Sequence, residues 1–160
     1  MTRPCELHSQ SAQETTALGR TLGSVLGVGD VVVLSGELGA GKTTFTQGVA
    51  QGMGISEQVT SPTFVLAREM PLGSLGVRLL HVDAYRITSI HEWDDLDLDL
   101  ESAATVVEWG QRVNEVLPVD RLEIALVGHD DRRTISLTAR GSRSERVLHD
   151  FLDLLAVDPN

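Results

Sequence analysis

A glycine-rich stretch with one lysine, GELGAGKTT at residues 36–44, is the part of the chain whose residue types most clearly suggest chemistry. Gly36, Gly41, Lys42 and Thr43 fit the pattern G-x-x-x-x-G-K-[ST]. Glycines let the backbone curl so that its N–H groups point at phosphate oxygens, and a helix beginning near Lys42 adds the positive end of its dipole. The lysine would then reach the β and γ phosphates of a nucleotide, and the Thr43 hydroxyl would ligate Mg²⁺. The residues expected to contact the nucleotide are Gly36, Gly39, Ala40, Gly41, Lys42, Thr43 and Thr44.

Two acids stand where short apolar runs end. Asp83 closes VRLLHVD at residues 77–83, and Glu108 closes ATVVE at residues 104–108. A carboxylate at the carboxyl end of a strand lies on the side of an open α/β sheet where ligands bind. Nucleotide hydrolysis needs a metal ligand and a group that orients water. The residues alone leave open which acid holds Mg²⁺ and which positions water.

The kind of nucleotide is predicted from the absence of a guanine-binding motif. GTPases commonly read guanine with an N-K-x-D segment, and this chain has none, so ATP is favoured. Lys42 is also the only lysine of the chain, whose other cations are arginines. This usage suggests that arginine could not replace the lysine in the loop.

The elements around these residues predict an α/β protein. Apolar runs predict strands at residues 30–36, 63–70, 77–83 and 104–108, and RLEIALVG and RTISLTAR form a hairpin around HDDR. Helical spacing is found at residues 9–26, 43–53, 87–101 and 144–155. We therefore predict a three-layer P-loop NTPase fold, with a mixed parallel and antiparallel central sheet and flanking helices. Arg132 and Arg133 are expected to be solvated at the hairpin tip.

Composition bounds the possible functions. A length of 160 residues fits a single domain, 1–160, with the closing VDPN frayed. The formal net charge of −10 argues against a basic surface for DNA, and a partner would have to hold any RNA. No apolar run approaches a membrane span and MTRPCELHSQ lacks a signal-peptide core, which predicts a cytoplasmic protein without membrane contact. Cys5, the only cysteine, cannot form an internal disulfide.

Three further stretches are not explained by ATP binding alone: TSPTF at 60–64, HVDAYR at 81–86 and VVEWGQ at 106–111. Together with GELGAGKTTFTQG they resemble, in order and spacing, the TsaE (YjeE) family of small bacterial P-loop ATPases. That family is needed to make N6-threonylcarbamoyladenosine (t6A) on tRNA. The resemblance covers about the first two thirds of the chain.

The resemblance also implies roles for single residues. It implies that Thr43 and Glu108 hold Mg²⁺ and that Asp83, with Lys42, is needed for hydrolysis. It further implies partners, because the family acts on a complex of the TsaD and TsaB proteins and meets tRNA only through them. Gly110 departs from the family, in which proline is common at this position. The segments implied to respond to nucleotide state and to couple to the partners contain Ser61, Pro62, Thr63, Tyr85, Arg86 and Trp109.

Other interpretations remain open. A small-molecule kinase could share this length and loop, although no arginine-rich lid segment is apparent. A nucleotide-sensing interaction module would bind ATP and use partner docking as its output. His81 is expected to be a core histidine or a donor to a ligand rather than a metal ligand. Trp93 is expected to serve packing, and Tyr85 and Arg86 could form an ordinary surface pair.

Overall fold

A seven-stranded sheet organises the computed structural model, which describes residues 4–37, 39–56, 67–70 and 72–157. The strand order across the sheet is β1-β7-β6-β2-β5-β4-β3. The strands are β1 (Cys5–Ser9), β2 (Val31–Ser35), β3 (Ala67–Glu69), β4 (Leu79–Asp83), β5 (Ala104–Glu108), β6 (Leu122–His129) and β7 (Arg132–Ala139).

The centre of the sheet is parallel and its edges are antiparallel. β2 pairs in parallel with β5 on one side and β6 on the other, and β4 pairs in parallel with β5. β7, β1 and β3 add antiparallel pairs at the two edges. The predicted mixed sheet is therefore confirmed, and the carboxyl ends of four neighbouring strands meet at one edge.

Helices cover both faces of this sheet. They are α1 (Ala12–Gly23), α2 (Lys42–Gly52), α3 (Ile90–Asp95) and α4 (Ser142–Val157), with short 3-10 turns at Leu100–Ser102 and Gly110–Val113. Side chains of α1, α2 and α4 pack with Val32 and Leu34 of β2 in one buried cluster. Val31 and Val33, which point to the opposite face, pack with residues of α3 and the second 3-10 turn. The predicted α/β arrangement with flanking helices is confirmed.

The position of α2 is set by a close approach to α1. A Cβ placed on Gly19 would lie 2.3 Å from the carbonyl oxygen of Phe45, and one on Gly48 would lie 2.1 Å from that of Thr16. No real side chain tolerates such distances, so glycine is required for the two helix backbones to pack this closely.

Ser11 caps the N-terminus of α1, and its side chain accepts a hydrogen bond from the backbone N–H of Glu14.

Two segments differ from the sequence prediction, and two others lie outside the described residues. β1 was not predicted, although Cys5 and Leu7 alternate with exposed Glu6 and His8 as in a strand with one covered face. The acidic segment 87–101 is α-helical only over Ile90–Asp95, because Asp97 has φ +49° and interrupts the helix, and a 3-10 turn begins at Leu100. β3 lies within the predicted strand 63–70, whose residues 63–66 are outside the described residues, as are residues 158–160 of the predicted frayed end. Among the helices of the described residues, none has the length and apolar character needed to cross a bilayer.

Candidate active site

The described residues of GELGAGKTT form a tight turn from β2 into α2, which we call the glycine loop. Gly36, Gly39 and Gly41 have φ values of +149°, +80° and +103°, a region that side chains with a Cβ rarely adopt. Gly41 immediately precedes the first residue of α2, and the N–H of Phe45 donates to its carbonyl oxygen at 2.8 Å. The loop is therefore curled against a helix N-terminus, which is the geometry that favours an anion.

Lys42 folds back into this loop. Its side chain is buried, with 6% exposure, and its Nζ donates to the carbonyl oxygens of Gly36 at 2.7 Å and Glu37 at 3.0 Å. Burial lowers the pKa of the Lys42 ammonium below its ordinary value, while the nearby carboxylates of Glu108, Asp83 and Glu37 act in the opposite direction. An anionic ligand could take over the contacts that the two carbonyl oxygens now make with the ammonium.

The two strand-end acids stand side by side. Asp83 of β4 and Glu108 of β5 are register partners in a parallel pair, and Glu108 is also the partner of Leu34, next to the end of β2. Their charges both act on Lys42. Asp83 is half-buried and accepts a hydrogen bond from the backbone N–H of Tyr85 at 3.0 Å. The fold thus gathers the loop lysine and both predicted acids at one edge of the sheet.

Glu108 is buried and held by a histidine. The residue is 3% exposed, and its Oε2 accepts a hydrogen bond from Nε2 of His81, a fully buried residue of β4. Within the described residues, Nδ1 of His81 has no hydrogen-bond partner. A buried carboxylate needs such a donor, since an unpartnered charge in a protein interior is costly. His81 therefore orients Glu108, in agreement with one of the two roles expected for it.

A series of alternating cations and aromatic rings leads from the loop to the surface. Nζ of Lys42 lies 4.1 Å from the ring centroid of Trp109, whose ring is 5.0 Å from that of Tyr85. Cζ of Arg112 lies 5.1 Å from the centroid of Tyr85. These distances are those of cation–π and tilted aromatic contacts. We call Lys42, Trp109, Tyr85 and Arg112 the cation–aromatic stack.

Trp109 holds an unusual backbone conformation in this stack. Its φ of +61° is left-handed, which costs a residue with a Cβ about 1–2 kcal/mol. The backbone N–H of Trp109 donates to the carbonyl oxygen of Leu34 at 2.9 Å, which fixes it beside the loop. Gly110 follows, and a Cβ there would lie 2.3 Å from Cγ1 of Val33. The glycine at 110 thus lets the second 3-10 turn pack directly on β2.

Sequence reasoning missed two arginines near the loop. Arg112 was not singled out, although it follows Trp109 by three residues, a spacing that one helical turn brings together. Arg133 was expected to be solvated at the hairpin tip, but this is wrong. It is half-buried, and its Nη2 donates to the carbonyl oxygen of Gly39 at 3.2 Å. Only Arg132 is exposed as expected.

The remaining predicted residues are distributed as follows. Thr43 and Thr44 lie half-buried in the first turn of α2, and Ala40 is a buried residue of the glycine loop. Arg86 is exposed, and the cation over the ring of Tyr85 belongs to Arg112. Trp93 is buried in the packing between α3 and the sheet, as expected. Ser61, Pro62 and Thr63 lie outside the described residues.

Fold and site together define an α/β protein in which a lysine-bearing glycine loop faces two strand-end carboxylates at the edge of a mixed sheet. Residues 9–135 match the family model described as "Threonylcarbamoyl adenosine biosynthesis protein TsaE". The chain is 48% identical over 134 residues to the tRNA threonylcarbamoyladenosine biosynthesis protein TsaE of Streptomyces coelicolor, covering 79% of this chain and 90% of that one. It is 41% identical over 143 residues to the protein of the same name from Bacillus subtilis, covering 87% and 88%.

A solved structure gives the same relationship. The crystal structure of YdiB from Bacillus subtilis superimposes with a TM-score of 0.80 at 33% identity, covering 96% of this chain and 97% of that chain. The chain belongs to the TsaE family. The resemblance stated from SPT, HVDAYR and EW is thereby confirmed.

Proposed function

We propose that the protein is a Mg²⁺-dependent ATP hydrolase with a P-loop NTPase fold that supports t6A modification of tRNA in the cytoplasm. It would do so as a weak ATPase acting on, and stimulated by, a complex of TsaB and TsaD. The observation that carries the proposal is the convergence of the glycine loop, Lys42, Asp83 and Glu108 at one edge of the sheet. A role in t6A biosynthesis is supported by the names of the two relatives from Streptomyces coelicolor and Bacillus subtilis.

ATP binding would fall to the glycine loop. The backbone N–H groups at the start of α2 and the Lys42 ammonium are the donors that triphosphate oxygens need. On binding, Lys42 would exchange the carbonyl oxygens of Gly36 and Glu37 for phosphate oxygens. Because phosphates offer it a full negative charge, this exchange is favourable for an ammonium that burial disfavours.

The residues present fit a magnesium ion. Mg²⁺ takes hard oxygen ligands, and it is usually bound through one or two carboxylates together with the phosphates of the nucleotide. Thr43 offers a hydroxyl and Glu108 offers a carboxylate that His81 holds in one orientation. These two residues would hold the ion, which when bound would neutralise charge that develops on the phosphates.

Asp83 would position the attacking water. Its carboxylate is only half-buried, in contrast to that of Glu108, and the N–H of Tyr85 fixes one of its oxygens. A carboxylate in this position can accept a proton or hold a water in line with the terminal phosphate. The difference in burial between the two neighbouring acids is the physical basis for assigning them different roles.

Partner proteins would carry the tRNA. Proteins bind a nucleic-acid phosphate backbone mainly through clustered Lys and Arg. A chain with a formal net charge of −10 is therefore poorly suited to bind tRNA directly. Contact with tRNA through TsaB and TsaD is therefore easier to account for than direct binding.

The decisive test is reconstituted tRNA modification with the TsaB and TsaD partners under multiple-turnover conditions. We expect repeated modification only when this protein, ATP and Mg²⁺ are all present. The Lys42→Ala variant should behave like the omission of the protein. Equal multiple turnover with and without the protein would overturn the proposal.

A second candidate, a nucleotide-sensing interaction module, is favoured by the cation–aromatic stack. A ligand that draws Lys42 from the Trp109 ring would disturb Tyr85, which is 44% exposed, and Arg112 beyond it. The two candidates differ in their need for hydrolysis. Full tRNA modification by an Asp83→Asn variant that still binds ATP would favour the sensor, and loss of modification would favour the hydrolase.

A further inference from the structure

Lys42 has partners within the protein on every side of its ammonium group. An ammonium carries three N–H donors and no acceptor. Carbonyl oxygens accept from it at two places, Gly36 at 2.7 Å and Glu37 at 3.0 Å. The ammonium also lies over the indole ring of Trp109, with Nζ 4.1 Å from the ring centroid. A phosphate can therefore bind Lys42 only in competition with these partners.

The backbone of Trp109 is anchored, whereas the position of its ring depends on other contacts. The N–H of Trp109 donates to the carbonyl oxygen of Leu34 at 2.9 Å, and Gly110 packs directly against Val33. These contacts hold the main chain of the left-handed residue beside β2. They do not fix the side-chain torsion angles. Contacts made by the ring itself must decide whether it stays over Lys42.

Tyr85 is an aromatic neighbour of this ring. The two ring centroids lie 5.0 Å apart, with 54° between the ring planes. Tyr85 is 44% exposed, and its backbone N–H donates to the carboxylate of Asp83 at 3.0 Å. A ring that is so exposed gains little from burial, so further contacts are needed to hold it against Trp109.

Arg112 makes such a contact from the surface. Its guanidinium carbon lies 5.1 Å from the centroid of the Tyr85 ring. The N–H of Arg112 donates to the carbonyl oxygen of Trp109 at 3.0 Å within the second 3-10 turn. This turn thus brings both an indole ring and a cation to Tyr85. Because a guanidinium is planar and stacks on aromatic faces, Arg112 restrains Tyr85 and, through it, Trp109.

We propose that Arg112 is a positioning residue that lowers the affinity of the glycine loop for phosphate. Through Tyr85 it keeps the ring of Trp109 in place, and this ring competes with phosphate for the loop cation. The inference rests on the proposed function, because it concerns regulation of the same site. A carboxylate that draws Arg112 away from Tyr85 would release the ring and favour phosphate binding. A signal at an exposed arginine would then reach the buried lysine without touching the nucleotide.

The test measures the binding of inorganic tripolyphosphate with Mg²⁺ to the full chain by titration calorimetry. This probe has no nucleoside, so it reports on the phosphate contacts alone; ATP, titrated in parallel, should change in the same direction. Arg112→Ala is expected to strengthen binding about threefold, the size of one exposed cation–π contact, although the loss of a positive charge would by itself weaken an anion. The matched control is Arg146→Ala, which removes the same charge from an exposed position of α4 and should not strengthen binding.

Further variants follow the path from the arginine to the lysine. Trp109→Leu removes the competing ring itself and should strengthen tripolyphosphate binding more, by about tenfold. Arg112→Lys keeps a cation near Tyr85 and should stay within about twofold of wild type. In a Tyr85→Ala background, Arg112→Ala should have no further effect, because the ring on which it acts is gone.

The fluorescence of Trp109 supplies a readout that a merely structural role would not change. The chain has two tryptophans, and replacing the buried Trp93 by phenylalanine leaves the emission of Trp109 alone. In this background, Arg112→Ala is expected to shift the emission to longer wavelength before any ligand is added, whereas Arg146→Ala is not. Thermal unfolding of each variant checks that the fold is retained.

The contrary outcomes are distinct. If Arg112→Ala binds tripolyphosphate and ATP no more tightly than Arg146→Ala, this inference is overturned and the proposed function stands. A further gain from Arg112→Ala in the Tyr85→Ala background would also overturn it, because the arginine would then act by another route. Failure of the wild-type protein to bind either ligand would overturn the proposed function itself.

Discussion

On one flank of the glycine loop, strands β4 and β5 end in two carboxylates, whereas on the other flank the β6–β7 hairpin places the half-buried Arg133 beside the loop. On the acidic flank, Glu108 is 3% exposed and His81 fixes its carboxylate, while Asp83 beside it is half-buried. On the hairpin flank, Arg133 is half-buried, and its hydrogen bonds within the described residues go to carbonyl oxygens. One flank is thus preorganised, while the other can exchange its contacts at little cost.

This difference bears on the hydrolysis proposed for the acidic flank. Charge stabilisation at a reacting phosphate depends on groups that need not reorganise. Substitutions on each flank test whether the acidic flank is preorganised and the hairpin flank is adaptable.

The largest expected effect belongs to Asp83 on the acidic flank. Asp83→Asn should lower ATP turnover about 1000-fold, because the amide can neither accept a proton nor orient water as a carboxylate does. ATP affinity should change by no more than about threefold, since the loop and Lys42 are untouched. Steady-state hydrolysis and calorimetry measure the two quantities separately. Wild-type turnover in this variant would remove Asp83 from the proposed mechanism; Glu101→Gln, an exposed acid before β5, is the control.

Next in size is the loss of the loop cation. Lys42→Ala should weaken ATP at least about 100-fold, as expected when several hydrogen bonds from a charged group are lost. Unlike Asp83→Asn, it should lower affinity and turnover together. Calorimetric titration with ATP and Mg²⁺ gives the affinity, and Arg132→Ala controls for the change in net charge. An affinity near that of wild type would mean that the ligand binds elsewhere.

The acidic flank could be predicted from the sequence because its information is local. The loop is recognised directly from the spacing of Gly36, Gly41 and Lys42. An acid that ends an apolar run lies at the sheet edge because the strand before it ends there. Parallel pairing then brings Asp83 and Glu108 together without any further signal. The same logic correctly predicted the mixed sheet and the hairpin.

The hairpin flank could not be predicted in this way. The contact between Arg133 and Gly39 depends on how β6 and β7 lie beside β2, and nothing within a short window of sequence encodes that. The short edge strand β1 was missed for a related reason, since its stability comes from pairing with β7. In the acidic segment, apolar spacing favoured one long helix, but the leucines after Trp93 reach the core through a turn and a 3-10 turn instead.

A smaller effect is expected where a histidine supports the acidic flank. His81→Ala removes the donor to the buried Glu108 carboxylate, which should lower the free energy of unfolding by about 2 kcal/mol. Urea denaturation measures this loss, and a double-mutant cycle with Glu108→Ala isolates the pair. We expect a coupling energy of at least about 1 kcal/mol. Additive effects would show that His81 serves packing alone, and His81→Gln, which keeps an N–H donor, should recover part of the loss.

The smallest effect compares two glycines, one on each flank. A methyl group at Gly110 would meet Cγ1 of Val33 at 2.3 Å, in a packed core that cannot yield, whereas one at Gly128 would meet the movable end of Arg133 at 3.2 Å. Gly110→Ala should therefore lower the free energy of unfolding by about 1 kcal/mol or more, while Gly128→Ala should leave it within about 0.5 kcal/mol. Adding Val33→Ala should relieve the strain of Gly110→Ala, so that the double variant is more stable than the sum of the single losses predicts. Equal losses at both glycines would mean that the two flanks are equally rigid.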